Sequence, residues 1–408
     1  MTSQTPTPTL DPLRLVVNDY GGHPFPVDLS RELARRGHDV THLHAGVNVT
    51  PRGDLSEDGG RLRIRALGVG DRPFDKYDIA ARLRSDLRYG WRSGRVLARI
   101  RPDVAIASDM PVVSSLVARA VGRLFGVRSV LWAQDVQSGL AAMALGSERH
   151  LAVRALRWLE RRLVRGSDHI VAISEQFAAE LSALGADAVR TTVIENWAPI
   201  RQLPVRRRTN RWCRLHDLED NTVFLYSGTL GIKHRPDALL ELARALQAEV
   251  PDGVLVVVAE GVGADWLTDA LAAEPELTNV RLLPLQAFED LADVHGAADV
   301  LVVLLDTAVE RYSVPGKLFG YLCARRPILG LVPADNSAST LIGSRAMAGL
   351  VSDDPDLFLT DALLLARDRE LRHTYGKAGR AWAEVNFSIR RITDRFEDVL
   401  AAATGRVS

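Results

Sequence analysis

Two lysines stand where helices are predicted to begin. Lys317 lies in the run VPGKLFGYL, and Lys233 follows the glycines of YSGTLGIKH. A lysine at the mouth of a helix adds a formal cation to the positive end of the helix dipole, which suits a phosphate or diphosphate. An isolated lysine of this kind can equally be a solvated surface residue. Because both lysines follow strands of one predicted sheet, we expect them to converge on one anion.

Glycines mark three of the predicted strand-to-helix turns. Gly21 and Gly22 follow the first strand, Gly228 ends a later strand, and Glu260 with Gly261 follows the apolar run GVLVVVA. Glycine permits positive φ and close approach of a ligand, so these turns could offer N–H groups to a phosphate. The alternative interpretation is that each of these glycines only allows the backbone to turn sharply between a strand and a helix.

A carboxylate, Asp135, ends the predicted strand VRSVLWAQD. A polar side chain at the carboxyl edge of a parallel sheet could contact a ligand. The competing interpretation is an N-cap of the next helix. The spacing leaves both interpretations open.

The composition indicates a globular protein without general affinity for nucleic acid. Of 408 residues, 47% are hydrophobic and 25% are charged, and the formal net charge is zero, whereas a nucleic-acid-binding protein carries a basic excess. Cys213 and Cys323 predict neither a disulfide framework nor a zinc site, which favours a reducing cytoplasm. The polar N-terminus lacks the apolar core of a signal peptide, and no apolar run has the length of a membrane span.

Apolar runs rich in β-branched residues alternate with helical patterns along the chain. Buried strands separated by helices predict a parallel sheet covered on both faces. The predicted strands are 13–20, 38–44, 102–108, 127–135, 167–174 and 191–196, and then 222–228, 253–261, 279–285, 299–306 and 327–333. The predicted fold class is α/β, with two doubly wound Rossmann-like domains facing an interdomain cleft. Ligands of such sheets bind outside the carboxyl ends of the strands.

The length of the chain also predicts two domains. Residues 197–220 interrupt the alternation with two prolines and a basic cluster, which predicts a linker. The linker separates an N-terminal domain, residues 1–196, from a C-terminal domain, residues 221–385. Residues 386–408 are predicted to form a helix that packs back on the N-terminal domain.

The order and spacing of these segments resemble the retaining sugar-nucleotide glycosyltransferases of family 4, which have the GT-B fold. The resemblance extends over nearly the whole chain, through YGG, ARRGHDV, WAQD, SDHIVAIS, YSGTLGIKH, AEGVGADWL and SVPGKLFGYLCARRPILG. It is closest to members that assemble cell-surface polysaccharides of the colanic-acid or O-antigen type, whose late motif is similar to Pro-Ser-Lys-Leu-Phe-Glu-Tyr-Leu. Each motif is weak alone, but their order and spacing together are specific.

The resemblance implies transfer of a sugar from a nucleotide-sugar donor to a saccharide or lipid-linked saccharide acceptor, with retention and with no metal or other cofactor. Lys233 and Lys317 would hold the donor diphosphate and stabilise it as a leaving group. The turn at Gly21 and Gly22 would cap the diphosphate, and Asp135 would lie near the acceptor. The other implied donor-binding residues are Gly228, Glu260, Gly261, Gln286, Ser313, Gly316 and Leu318.

The chain departs from the family pattern around residue 320. Gly320 stands where the family has a glutamate that bonds the ribose hydroxyls, and Tyr312 stands where many members have an earlier glutamate. Arg325 replaces the usual glycine at the end of the same helix, and Thr229 replaces an arginine of the phosphate turn. The loss of one charged hydrogen bond to a hydroxyl weakens donor binding by about 1.5 to 3 kcal/mol.

Three functions are compatible with these features. The first is an active glycosyltransferase, which we favour. The second is a catalytically degenerate GT-B protein that acts as a binding partner of another transferase. The third is a nucleotide-sugar epimerase of the same fold, which would consume donor without an acceptor.

Two arginine-rich stretches of the first domain bear on where in the cell the protein works. Residues 82–101 hold seven arginines against one aspartate, and residues 154–165 hold five arginines against one glutamate. A solvated helix face is one interpretation of each stretch. The other is an anionic membrane surface, which attracts each nearby cation by about 1 kcal/mol. We therefore expect a cytoplasmic protein with salt-sensitive peripheral association at the inner face of the membrane.

Overall fold

The computed structural model describes residues 11–21, 23–46, 55, 57, 60–68, 79–231, 234–305 and 314–406. The chain divides into two compact units, which we call unit 1 (residues 1–196 and 389–408) and unit 2 (residues 197–388). Each unit contains one parallel β-sheet with helical crossovers, so the predicted fold class of two Rossmann-like α/β domains is confirmed.

Unit 1 has a seven-stranded parallel sheet in the order β3-β2-β1-β4-β5-β6-β7. The strands are β1 (Arg14–Asp19), β2 (Asp39–His44), β3 (Leu62–Ala66), β4 (Val104–Ser108), β5 (Arg128–Ala133), β6 (His169–Ala172) and β7 (Thr191–Val193). The helices are α1 (Pro24–Arg35), α2 (Ile79–Ile100), α3 (Val112–Leu124), α4 (Gln137–Ala144), α5 (Leu151–Gly166) and α6 (Glu175–Ala183). The strand order reverses between β1 and β4, where doubly wound sheets bind their ligands.

Unit 2 has a six-stranded parallel sheet in the order β10-β9-β8-β11-β12-β13. The strands are β8 (Thr222–Ser227), β9 (Gly253–Val258), β10 (Val280–Leu283), β11 (Val300–Leu304), β12 (Ile328–Leu331) and β13 (Gly349–Ser352). The helices are α7 (Arg211–Leu215), α8 (Pro236–Glu249), α9 (Val262–Ala272), α10 (Leu291–Gly296), α11 (Gly316–Cys323), α12 (Ser337–Thr340), α13 (Pro355–Arg367) and α14 (Arg369–Asn386). Its central strands are buried along their whole length, as expected for strands covered on both faces.

The last helix, α15 (Ile389–Thr404), belongs to unit 1. Glu397 on α15 is buried and accepts hydrogen bonds at 2.5 Å from Arg36 and at 3.1 Å from His38. Phe396 packs edge-on against the buried Trp132 of β5, with ring centroids 4.8 Å apart. Truncating one partner of such a buried charged pair leaves the other uncompensated, so this contact ties α15 to the sheet.

Residues 197–220, predicted to be a linker, are folded into unit 2. The segment contains α7, whose Trp212 and Cys213 are buried. Arg208 donates to Asp299 at 2.7 Å and to the carbonyl oxygen of Asn221 at 2.6 Å. Part of the basic cluster that predicted a linker therefore holds the segment on the amino edge of the sheet.

Candidate functional site

The turns that follow β8 and β9 are bonded to each other through the backbone. The amide of Gly228 donates to Val258 at 2.9 Å, and the amide of Leu230 donates to Glu260 at 2.9 Å. The amide of Gly263, in the first turn of α9, donates to the carbonyl of Leu230 at 2.9 Å. These bonds hold the two glycine-containing turns as one rigid edge at the carboxyl ends of the strands.

Lys317, in the first turn of α11, lies against the turn that follows β8. Its Nζ is 3.6 Å from the ring centroid of Tyr226 and 3.5 Å from the carbonyl oxygen of Thr229. A Cβ at Gly228 would lie only 3.3 Å from Cε of Lys317, so the absence of a side chain there makes room for the lysine. The ring face and the carbonyl hold the ammonium group at the positive end of α11.

Tyr321 fixes α11 on the end of β8. Its hydroxyl accepts a hydrogen bond from the amide of Ser227 at 2.8 Å and donates to the carbonyl of the same residue at 3.2 Å. Burial raises the pKa of Tyr321 well above its ordinary value, although the bond from the Ser227 amide acts in the opposite direction. The hydroxyl therefore stays protonated and sets the position from which Lys317 reaches the turn.

Gly261 is required by the packing of the two turns. Its φ is +117°, and a Cβ there would lie 2.8 Å from the carbonyl oxygen of Leu230. Both the backbone conformation and the close approach exclude a side chain. The side chain of the neighbouring Glu260 is exposed at the same edge. The structure thus gives Gly261 a packing role that does not depend on a ligand.

Gln286 lies after β10 and is held by two hydrogen bonds. Its Oε1 accepts from Nε1 of Trp212 at 3.3 Å, and its Nε2 donates to the carbonyl of Pro284 at 2.8 Å. Gly316 is exposed at the start of α11, and no atom of the surrounding described residues lies within 4 Å of a Cβ built there. Gly316 therefore leaves the approach to α11 open.

Leu318 does not have the surroundings of a ligand-binding residue. Its side chain is fully buried in unit 2, and its amide donates to the carbonyl of Pro315 at 2.9 Å. Its predicted place among the donor-binding residues is therefore corrected to a place in the core. Three other predicted site residues, Gly22, Lys233 and Ser313, lie outside the described residues.

In unit 1, the turn that follows β1 contains an ion pair that the sequence prediction did not include. Nε2 of His23 lies 3.2 Å from Oδ2 of Asp109, which follows β4. Gly21 is buried between them, and any side chain there would collide with both. Asp109 could have been found by the rule that identified Asp135, since both carboxylates directly follow strands of one parallel sheet.

The His23 imidazole is surrounded by carboxylates. Burial lowers its pKa, but the hydrogen bond and charge of Asp109, with smaller contributions from Asp19 and Asp135, raise it to a net value above 6.5. Asp135 itself is exposed after β5. This edge of unit 1 therefore presents hydrogen-bond acceptors and negative charge.

Gly320, the position that departs from the family motif, faces a buried histidine. A Cβ at Gly320 would lie 3.3 Å from Cε1 of His295. His295 packs edge-on against Tyr321 at 5.0 Å, and burial lowers the pKa of His295 to about 4. The imidazole is therefore neutral, and a longer side chain at position 320 must displace it by a few tenths of an ångström or point away from it.

Within the described ranges, no group of three or more His, Cys, Asp or Glu side chains is arranged to hold a metal ion. No helix in the same ranges combines the length and the apolar composition needed to span a bilayer.

Comparisons with known proteins agree with this architecture. Residues 21–197 match the family model described as glycosyl transferase 4-like domain. The probable glycosyltransferase WbjE of Pseudomonas aeruginosa is 21% identical over 244 residues, 59% of this chain and 60% of that protein. D-inositol 3-phosphate glycosyltransferase of Geodermatophilus obscurus is 32% identical over 173 residues, 40% of this chain and 38% of that protein. The matches thus span less than two thirds of these relatives.

The structure of Anabaena HepE in complex with UDP-glucose has a TM-score of 0.70 to this chain at 14% identity, and the match covers 96% of this chain and 100% of that one. The fold is therefore that of the GT-B glycosyltransferases. Residues 21–197 thus match a glycosyl transferase 4-like domain, and the chain has the GT-B fold. The predicted resemblance is confirmed at this level.

Proposed function

We propose that the protein is a glycosyltransferase that moves a sugar from a nucleotide-sugar donor to a saccharide acceptor with retention of anomeric configuration. The observation that carries the proposal is the position of Lys317, whose ammonium lies at the turn after β8 and at the positive end of α11. The named relatives are glycosyltransferases, and HepE was solved with UDP-glucose, which supports a nucleotide-sugar donor.

Lys317 would act on the leaving group. When the bond between the anomeric carbon and the diphosphate oxygen breaks, negative charge builds on the diphosphate. A fixed ammonium and the backbone N–H groups of the helix start stabilise that charge in the transition state. Lys233 would add a second cation. Charge neutralisation by these lysines needs no resident metal ion.

Unit 1 would bind the acceptor. Saccharide hydroxyls are hydrogen-bond donors, and Asp109 and Asp135 present carboxylate oxygens at the carboxyl edge of the sheet. His23 would position Asp109, because the two side chains are bonded to each other at 3.2 Å. Gly21 would allow this close approach of His23 and Asp109, because it has no side chain.

The acceptor would be lipid-linked, as in the assembly of cell-surface polysaccharides. Leu83, Leu87 and Trp91 on α2 are 46%, 44% and 56% exposed and recur every four residues, so they form one apolar stripe. Arginines flank the stripe, and α5 adds Trp158, 55% exposed, with Arg162 over its ring at 4.7 Å. Apolar side chains between cations suit peripheral binding to an anionic leaflet.

The membrane proposal is tested by co-sedimentation with anionic and neutral liposomes at low and high salt. We expect recovery with anionic liposomes only, reduced by salt and by Trp91→Ala. Trp266→Ala, a partly exposed tryptophan of unit 2, is the matched control and should behave as wild type. Equal recovery in both supernatants would favour a soluble acceptor.

The enzymatic proposal is tested by a thermal-shift screen of nucleotide sugars, followed by mass spectrometry of products. We expect one donor class to stabilise the protein and a glycosylated product to form with an acceptor mixture. Donor binding without any turnover would identify a catalytically degenerate binding protein. Conversion of the donor sugar without an acceptor would identify an epimerase.

A further inference from the structure

A basic groove of about 550 Å³ opens in unit 2, at the edge of the sheet opposite to Lys317. Its lining includes Asp299 and Pro327, which directly precede β11 and β12, whereas Lys317 lies at the turn after the carboxyl end of β8. Strand β11 alone has five residues and separates the two edges by about 16 Å. The groove is therefore distinct from the proposed donor site.

Among the residues that the structure describes, seven arginines and one histidine line the groove, and Asp299 is the single lining carboxylate. The seven arginines come from three segments that are remote in sequence, namely residues 205–208, 325–327 and 369–373. Its volume lies in the range of pockets that bind small molecules. The formal net charge of the chain is zero, so this cluster of arginines is a local excess of positive charge.

Two of these arginines are compensated by carboxylates. Arg208 donates to Asp299 at 2.7 Å, and Arg206 lies 3.2 Å from Asp293. These pairs bring the segment 205–208 to the sheet. Among the described residues, the other five lining arginines form no ion pair with a carboxylate.

Two further arginines are held by backbone carbonyls. Arg326 is partly buried and donates to the carbonyl of Gly296 at 2.7 Å. Arg372 donates to the carbonyl of Leu365 at 2.6 Å, in the last turn of α13. Burial lowers the pKa of Arg326, and the charges of Arg208 and Arg325 lower it further against the opposite effect of Asp299. The groove is therefore a place where one more anion would be favourable.

The other three arginines, Arg207, Arg325 and Arg369, are exposed. Within the described part of the chain, no ion pair and no hydrogen bond engages their guanidinium groups. Arg325 also has a φ of +58°, one residue beyond the C-cap of α11, where glycine is usually found. The chain thus places an arginine in a left-handed conformation at the groove, although glycine would be less strained there.

We propose that this groove binds a small soluble anion that carries two or more phosphate groups. Guanidinium groups bind phosphate oxygens through paired hydrogen bonds, and several of them around one cavity favour a multiply charged ligand over a single carboxylate. The anchored arginines form a rigid wall, and Arg207, Arg325 and Arg369 supply the donors that meet the ligand.

The test is isothermal titration of the 408-residue chain with inorganic pyrophosphate, in wild type and in the Lys317→Ala background. The background variant removes one of the two cations proposed for the donor diphosphate, and binding in that background that also depends on Arg207 and Arg369 reports the groove. We expect binding that persists in Lys317→Ala and weakens roughly tenfold or more in Arg207→Ala/Arg369→Ala. Arg391→Ala, an exposed arginine of α15 in unit 1, is the matched control and should bind as the parent protein does.

Arg325→Gly separates binding from folding. The substitution removes a groove cation and relieves the left-handed backbone, so we expect weaker pyrophosphate binding together with a Tm that is higher by a few degrees. Weaker binding with a lower Tm would indicate a structural role for Arg325 and would count against the proposal.

A lipid headgroup carries the same phosphate chemistry, so a second arm uses vesicles that contain phosphatidylglycerol. Vesicle recovery that is unchanged in Arg207→Ala/Arg369→Ala supports a soluble ligand. Recovery lost in that variant, or pyrophosphate binding that is absent or insensitive to the groove substitutions, would overturn the proposal.

Discussion

The two units share one architecture and differ in the charge at their functional edges. In unit 2, the carboxyl edge of the sheet holds Lys317 beside the glycine turns at Gly228 and Gly261. In unit 1, the corresponding edge holds Asp109, paired with His23. The doubly wound sheet supplies the same turns in both units, and the side chains at those turns decide which ligand fits. We propose a diphosphate as the ligand at the edge of unit 2 and a polyhydroxyl ligand at that of unit 1.

Two histidines show the same contrast. His23 lies beside Asp109, and its pKa is raised above 6.5 although burial acts against its charge. His295 is buried against Tyr321 without a carboxylate, and its pKa falls to about 4. A nearby carboxylate therefore reverses the effect that burial alone produces.

The largest effect is expected from removing the cations of unit 2. Lys317→Ala and Lys233→Ala should each reduce turnover by about 10² or more while the protein remains folded, because each removes a charge that we propose stabilises the leaving group. The measurement is steady-state turnover with the donor found in the screen, with circular dichroism as the folding check. Lys377→Ala, an exposed lysine of α14, is the control. Near-normal turnover in both site variants would refute their assignment.

The glycine turn of unit 2 is tested by Gly261→Ala. A Cβ at a φ of +117° and 2.8 Å from a carbonyl oxygen should lower the free energy of unfolding by about 1 to 3 kcal/mol. The loss of unfolding free energy is measured by urea unfolding monitored by fluorescence. Gly316→Ala has open space around its Cβ and should change stability little. A stable Gly261→Ala variant would contradict the packing role of this glycine.

Gly320→Glu tests whether unit 2 has relaxed its contact to the donor ribose. A restored carboxylate should tighten donor binding by roughly tenfold, provided that His295 moves aside. Titration calorimetry measures the affinity. Gly320→Ala is the control, because alanine raises the helix propensity at this position without adding a carboxylate. Unchanged or weaker affinity in Gly320→Glu would show that Gly320 accommodates a different feature of the ligand.

The smallest effect concerns the ion pair of unit 1. The pKa of folded His23 is above 6.5, so its ion pair stabilises the protein fully below about pH 6.5 and loses this contribution as the pH rises through the folded pKa. Asp109→Asn should lower the pKa of His23, as followed by NMR of the imidazole, and should flatten this part of the stability profile. Asp135→Asn removes a weaker, purely electrostatic contribution and should shift the pKa less. An unchanged pKa in Asp109→Asn would contradict the pairing.

The periodic strands were predictable because buried parallel strands are continuous apolar runs. Strands β3 and β13 were not, since β3 alternates with arginines at an exposed edge and β13 has only four residues. The segment 197–220 was misleading because its prolines and arginines indicate a linker in isolation. The folded position of Arg208 depends on its ion pair with Asp299, which is far along the chain, so the sequence of the segment alone does not reveal it.

The sequence by itself determined the α/β class, the glycine turns and the place of Lys317 at a helix start, because these depend on local periodicity and backbone conformation. Tertiary structure alone decided that Leu318 belongs to the core and that His23 contacts Asp109. It also decided that the carbonyl oxygen of Leu230 lies too close to Gly261 for a side chain there. It also decided that arginines from three remote segments line one groove. These contacts join residues that are far apart along the chain. Which residues meet depends on the order of the strands and on the packing of the turns. Local sequence patterns do not specify either of these.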